Sequence, residues 1–230
     1  MAVSDPLERM RGGLVVSVQA APGSPLATPE HLAAIARAVE AGGAVGIRTE
    51  GVETVRAIRE AVKVPVIGLV KRRTPGSDVY ITPEIADALA VAEAGADLVA
   101  VDATERPRAD GTSGPDFVAA AVAELPGRIL ADVDSASAGH AAAEAGAPAI
   151  ATTLSGYTGE EADGPDLGLV AELAQALEVP VLAEGRYSTQ EQVWAALGAG
   201  AFAVVVGTAI TNPEELTRRL ASPPPLGADA

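Results

Sequence analysis

Three apolar runs of this chain stop abruptly at residues able to do chemistry. VIGLV (66–70) ends at Lys71, AEGRY places Glu184 between Ala183 and Gly185, and VVVG (204–207) ends in Gly207 followed by Thr208. An amine whose stem lies against a low-dielectric strand end, with Arg72 and Arg73 beside it, is expected to lose its proton readily, as a lysine base or Schiff-base former must. A carboxylate at the tip of a buried strand is costly unless it is partnered or functional, so Glu184 either pairs with Arg186 or Arg48 or handles protons. Lys71 and Glu184 together read as an acid–base couple. Gly185 with Arg186, and Gly207 with Thr208, form a second constellation, because glycines let backbone amides approach a phosphate. Gln19, Arg48, Asp102 and Asp132 end four further apolar runs and offer hydrogen bonds to sugar hydroxyls or an amide.

Something regular must hold these ends together. The strand candidates are residues 14–19, 44–49, 65–70, 96–102, 128–133, 148–154, 180–185 and 202–207, each a short β-branched run. Helices are expected to begin near Pro29, Gly51, Pro83, Pro115, Ser135, Pro165, Thr189 and Pro213, where a proline suits a first helical turn or a polar cap precedes it. The phrases EAGGAVGI, EAGADLVAV, EAGAPAIA and GAGAFAVVV each join a helix end to the next strand through a glycine, which marks repeated βα units. Eight such units predict a single-domain (β/α)8 TIM barrel over 1–221, with a disordered tail at 222–230. A doubly wound open sheet is the structural rival. It would gather polar residues at one switch point, whereas here they end nearly every strand. In a barrel the strand ends surround one mouth, and the loops after strands 7 and 8 are a common phosphate cradle.

Composition narrows the partners. With 230 residues, 16 Lys and Arg against 31 Asp and Glu, and a formal net charge of -15, the chain lacks the clustered cations that nucleic acid requires, so none is expected. Any phosphate must be held by local donors against an unfavourable overall field. There is no cysteine, which removes disulfides, thiolate nucleophiles and Cys-bound metals. His31 and His140 have no partners at ligand spacing, so no metal and no cofactor are expected. No segment reads as a signal peptide or membrane span, and the expectation is a cytoplasmic protein.

The motifs GGLVVSVQAAPGSPL, GAVGIRTEGV, VIGLVKR, VDATERPR, ATTLSGYT, AEGRY and VGTAIT occur in this order over almost the whole chain. They resemble the successive strand-end motifs of the N-acetylmannosamine-6-phosphate 2-epimerase family. The resemblance implies a metal-free barrel that interconverts N-acetylmannosamine 6-phosphate and N-acetylglucosamine 6-phosphate in sialic-acid breakdown. It implies Lys71 and Glu184 as catalytic residues, and Gln19, Arg48 and Asp132 as substrate-binding residues, with Thr153 of ATTLSGYT added to that set. A homodimer is expected by analogy. The chain departs from the family pattern at Val18, where many members carry a cysteine, and at Ala103, where a glycine is usual. In DVDSAS, Asp134 is an extra carboxylate that competes with Asp132 for the substrate role. Two other readings use the same residues: a Schiff-base lyase or aldolase with Lys71 as covalent nucleophile, and a non-catalytic sugar-phosphate sensor.

Overall fold

A computed structural model describes residues 5–159 and 162–221. The eight expected strands are present: β1 Leu14–Ser17, β2 Gly46–Glu50, β3 Val66–Leu69, β4 Leu98–Asp102, β5 Ile129–Asp132, β6 Ala149–Ala151, β7 Val181–Glu184 and β8 Ala203–Val206. All neighbours pair in parallel, in sequence order, and Leu14, Val15 and Val16 of β1 pair with Val204, Val205 and Val206 of β8 to close the barrel. The open-sheet rival is thereby excluded. The predicted tail, 222–230, lies outside the described residues.

The helices begin where the sequence signals placed them, within about two residues. They are α1 Pro29–Ala41, α2 Val52–Ala61, α3 Ile85–Glu93, α4 Gly114–Glu124, α5 Ala136–Glu144, α6 Leu167–Ala176, α7 Gln190–Gly198, α8 Thr208–Thr211 and α9 Pro213–Ala221. Thr28, Ser113, Ser135, Asp166 and Thr189 each accept a backbone N–H from the first turn of the helix that follows, satisfying donors that would otherwise be orphaned. One further turn, α8, opens at Thr208 after Gly207 and occupies the loop between β8 and the proline-started α9.

Side chains alternate between two apolar layers, as the strand period of two requires. Val15, Ile67, Leu69, Leu98, Ala100, Leu130, Ala149, Leu182 and Val205 form the barrel interior, with Met10 beneath them. Val16, Ile47, Val66, Val99, Ile129, Ile150 and Val181 face outward against helix residues such as Ala36, Ile58, Val91 and Leu173. Close approach of helix to sheet fixes the third strand: a Cβ at Gly68 would lie 2.5 Å from the Val91 side chain. The inward series, continued past the apolar layer toward the strands' carboxyl ends, runs through Ser17 and Gln19, Arg48 and Glu50, Lys71, Asp102, Asp132, Thr153, Glu184 and Gly207. The alternation that fills the core therefore aims these side chains into the barrel mouth.

Candidate active site

A cavity of about 820 Å³ opens at that mouth, within the size range of small-ligand sites. Its wall includes Gln19, Arg48, Lys71, Thr153, Glu184, Gly185, Arg186, Gly207 and Thr208, so nine of the eleven residues expected from the sequence to form a site converge on one space. The other two, Asp102 and Asp132, are fully buried and off the wall.

Arg48 is the centre of the polar layer. From β2 it reaches across the interior and donates Nη1 to Asp132 Oδ1 at 3.0 Å and Nη2 to Asp132 Oδ2 at 2.6 Å. The two side chains expose 1% and 0% of their surface, a bidentate pair shielded from water. The same Nη1 lies 3.3 Å from Glu184 Oε2. Thr153 Oγ1 lies 2.8 Å from Asp132 Oδ1 and 3.1 Å from Glu184 Oε2. One guanidinium and one hydroxyl thus join strands β2, β5 and β7 to the loop after β6. Burial pushes the Glu184 carboxyl up from its ordinary value, Arg48 opposes this, and the Asp132 charge reinforces it.

The two aspartates are placed differently, and neither is on the cavity wall. Asp132 buttresses Arg48, whereas Asp134 Oδ2 accepts the Thr158 hydroxyl at 2.6 Å and ties down a loop. Asp102 is likewise inward but fully buried, with Oδ1 accepting from the Thr104 amide and hydroxyl and Oδ2 paired with Arg106. It is not on the cavity wall, which corrects the expectation that it meets a sugar.

Lys71 sits two residues beyond β3 and continues its inward parity. Its Nζ donates to Gln19 Oε1 at 2.5 Å and lies 3.1 Å from Glu50 Oε2, while Gln19 Nε2 donates to Ser17 Oγ. The expected surroundings are corrected here. The Lys71 side chain is 42% exposed and faces an anion. Successive residues point to opposite sides of a strand, so Arg72 turns outward to Glu84 and Asp87, and the Arg73 guanidinium stacks over Tyr80 at 5.7 Å. The segment after Lys71 returns over the mouth, with Lys71 and Ile81 paired in an antiparallel bridge, and so brings Tyr80 and Ile81 to the cavity wall.

On the opposite side the chain leaves β7 through two consecutive residues of positive φ, Gly185 at 121° and Arg186 at 59°. The first is a glycine conformation, and the second carries strain for a residue with a side chain. The turn directs the Arg186 guanidinium to the carbonyls of Gly164 and Ser155, each at 2.5 Å, and over the Tyr157 ring at 5.1 Å. Two of its donor nitrogens therefore anchor the loop after β6, a role that the strand-end reading did not foresee. Gly207 and Thr208 close the wall on β8, where a Cβ at Gly207 would come within 3.3 Å of Ser17.

Glu50, Ser17 and Tyr80 were missed. Glu50 and Ser17 carry a usable signal, since each lies two residues from Arg48 or Gln19 and shares its inward parity. Tyr80 carries none, because only the return of the β3–α3 loop brings it in. Among the described residues no group of three or more His, Asp or Glu could hold a metal ion. No helix among them is long and apolar enough to cross a membrane.

With an amine and a carboxyl facing one cavity from β3 and β7 and a fixed cation between them, the fold and the site are those of a (β/α)8 barrel enzyme. Residues 32–223 match the NanE family, described as "Putative N-acetylmannosamine-6-phosphate epimerase", and the chain belongs to that family. It is 49% identical over 212 residues to a "Putative N-acetylmannosamine-6-phosphate 2-epimerase" of Cutibacterium acnes, covering 90% of this chain and 92% of the relative. A protein of the same name from Klebsiella pneumoniae is 46% identical, with 94% and 91% covered. The solved N-acetylmannosamine-6-phosphate 2-epimerase of Clostridium perfringens superposes with a TM-score of 0.88 at 35% identity, over 93% of this chain and 94% of that one.

Proposed function

We propose that this chain is an isomerase that interconverts N-acetylmannosamine 6-phosphate and N-acetylglucosamine 6-phosphate by removing and returning the proton at carbon 2. The observation that carries this reading is the placement of Lys71 and Glu184. Strands β3 and β7 stand four apart in a ring of eight, on opposite sides of the mouth. A planar carbon between them is open to proton transfer on either face, which is what inversion needs.

The proton at carbon 2 becomes acidic only next to a carbonyl, so the ring must open to the aldehyde before an enolate can form. Lys71 exchanges the proton of carbon 2 on its own face, and Glu184 serves the opposite face or the oxygens. The raised proton affinity of Glu184 suits it to act as an acid. Arg48, fixed in advance by Asp132, and Gln19 hold the acetamido group or the developing oxyanion, a preorganised arrangement of the oxyanion-hole kind. Backbone amides at Gly185, Arg186, Gly207 and Thr208 hold the phosphate, and Arg186 shapes that wall by securing the loop above it. Binding at the phosphate end supplies orientation at the reacting carbon, so the dephosphorylated sugar loses rate as well as affinity.

Proton NMR of N-acetylmannosamine 6-phosphate with the enzyme in deuterated water tests the reading. The expected result is product carrying deuterium at carbon 2 with wild type and none formed with Lys71→Ala. Product that retains all of its original proton, or undiminished exchange in the variant, overturns it.

A further inference from the structure

We propose that Thr153 is a positioning residue that keeps one proton on the Glu184 carboxyl group and aims it, through a directional hydrogen-bond chain from Glu184 to Thr153 to Asp132. This deepens the function just proposed and rests on it. A threonine hydroxyl has one proton, yet Thr153 Oγ1 is within hydrogen-bond distance of two carboxyl oxygens, Asp132 Oδ1 at 2.8 Å and Glu184 Oε2 at 3.1 Å. It can donate to only one of them at a time. Donation to Glu184 would favour its carboxylate and lower its proton affinity; in the proposed chain the hydroxyl proton instead takes the shorter contact, to Asp132, and the oxygen lone pair faces Glu184 Oε2. Two oxygens in this position repel unless a proton lies between them, and the only remaining source is Glu184 itself.

The surroundings decide which carboxyl group is protonated. Asp132 receives both arms of Arg48, at 3.0 and 2.6 Å, and two charge-assisted hydrogen bonds hold it as the anion. Glu184 receives one arm, at 3.3 Å. The charged and titratable groups facing Glu184 are Arg48 from β2, Asp132 from β5 and Lys71 beyond β3, with Tyr80 of the β3–α3 loop near Arg48 and Asp132. Arg186, next but one in the chain, turns its guanidinium to the Gly164 and Ser155 carbonyls. Arg48 and an ionised Asp132 cancel, so a neutral Glu184 leaves the three-residue cluster uncharged, whereas an ionised one leaves it a net negative charge beside two fully buried partners.

The chain can also turn over. When Glu184 gives its proton to a substrate oxygen it becomes a carboxylate, and the Thr153 hydroxyl can swing from Asp132 to donate to it. Asp132 keeps its two bonds from Arg48. With Glu184 protonated Thr153 makes two hydrogen bonds, and with Glu184 ionised it makes one, so deleting the hydroxyl weakens the protonated form more.

This sign is what the experiment reads. Infrared difference spectra of wild type and Glu184→Gln at neutral pH are expected to show a protonated-carboxyl band present in the first and missing from the second. In Thr153→Val the pH at which this band disappears, and the alkaline limb of kcat/KM, should move down by about half to one pH unit, the equivalent of one hydrogen bond. Thr153→Ser should restore both. A shift upward would mean that Thr153 simply donates to a Glu184 carboxylate, and it would overturn the proposal, as would a wild-type spectrum without the band. The wild-type and Glu184→Gln comparison needs no Thr153 variant, and Thr153→Ala serves if Thr153→Val does not fold. The band is read without turnover, so an enzyme that epimerises but lacks the band sinks the relay alone. Failure to epimerise with the band intact sinks the function and leaves the hydrogen-bond chain standing.

Discussion

The amine of Lys71 lies 3.1 Å from the carboxylate of Glu50 at the end of the neighbouring strand, and 2.5 Å from Gln19 on the strand beyond. The group assigned to carbon 2 is thus held by two side chains of its own layer and is aimed before substrate arrives.

Glu50→Ala separates aiming from stability. The ion pair is 42% and 29% exposed, so its loss should cost under about 1 kcal/mol and move Tm by only a few degrees. Activity should fall nonetheless, by less than the roughly 10² to 10⁴ expected of removing the catalytic amine itself. Calorimetry and steady-state rates on the same preparation check this, and wild-type kcat/KM in the variant would dismiss Glu50 from the site.

Asp132→Ala should behave in the opposite way. The substitution strands the buried Arg48 guanidinium beside Glu184 with no bidentate partner, and breaking a buried pair on one side costs about 3 to 5 kcal/mol. Thermal unfolding should register a fall of roughly 6 to 20 °C, together with loss of turnover. A Tm within two degrees of wild type would show that Arg48 is compensated elsewhere.

Glu184 makes stability depend on pH in a definite direction. Its carboxyl group is raised above the ordinary value of 4.5 in the folded protein, so between that value and the folded one the native state binds more protons than the unfolded state. Its contribution to stability is therefore present at low pH and is lost as pH rises through this window. Glu184→Gln removes the dependence, and the stability of the variant relative to wild type should grow as pH rises from about 4.5. Urea unfolding of both proteins across that range measures the difference, and a constant gap would argue that Glu184 titrates normally.

Much of this was readable in the residues. The βα repeats, the helix caps and the polar ends of the strands follow from local chemistry, and they located the barrel and brought most of the expected residues to its mouth. What stayed hidden depends on parity and on loops. Because the strands are apolar on both faces, the sequence does not mark which series points inward, and so Arg72 was expected beside Lys71 although it turns outward, while the loop carries Arg73 to the Tyr80 ring. Asp102 and Asp132 look alike as strand ends, and only the reach of Arg48 from three strands away tells them apart. The attachment of Arg186 to Ser155 and Gly164 required the path of a loop that no periodicity encodes.

The knot formed by Arg48, Asp132, Thr153 and Glu184 has a bearing on how such a site can change over generations. Each member answers to at least two others drawn from different strands, so a replacement at one position alters the welcome that the next residue receives. A change of chemistry here would therefore have to accommodate several of these positions together. Tyr80, which reaches the cavity wall from a loop and stands outside this knot, is where related sugars would be told apart without dismantling the centre.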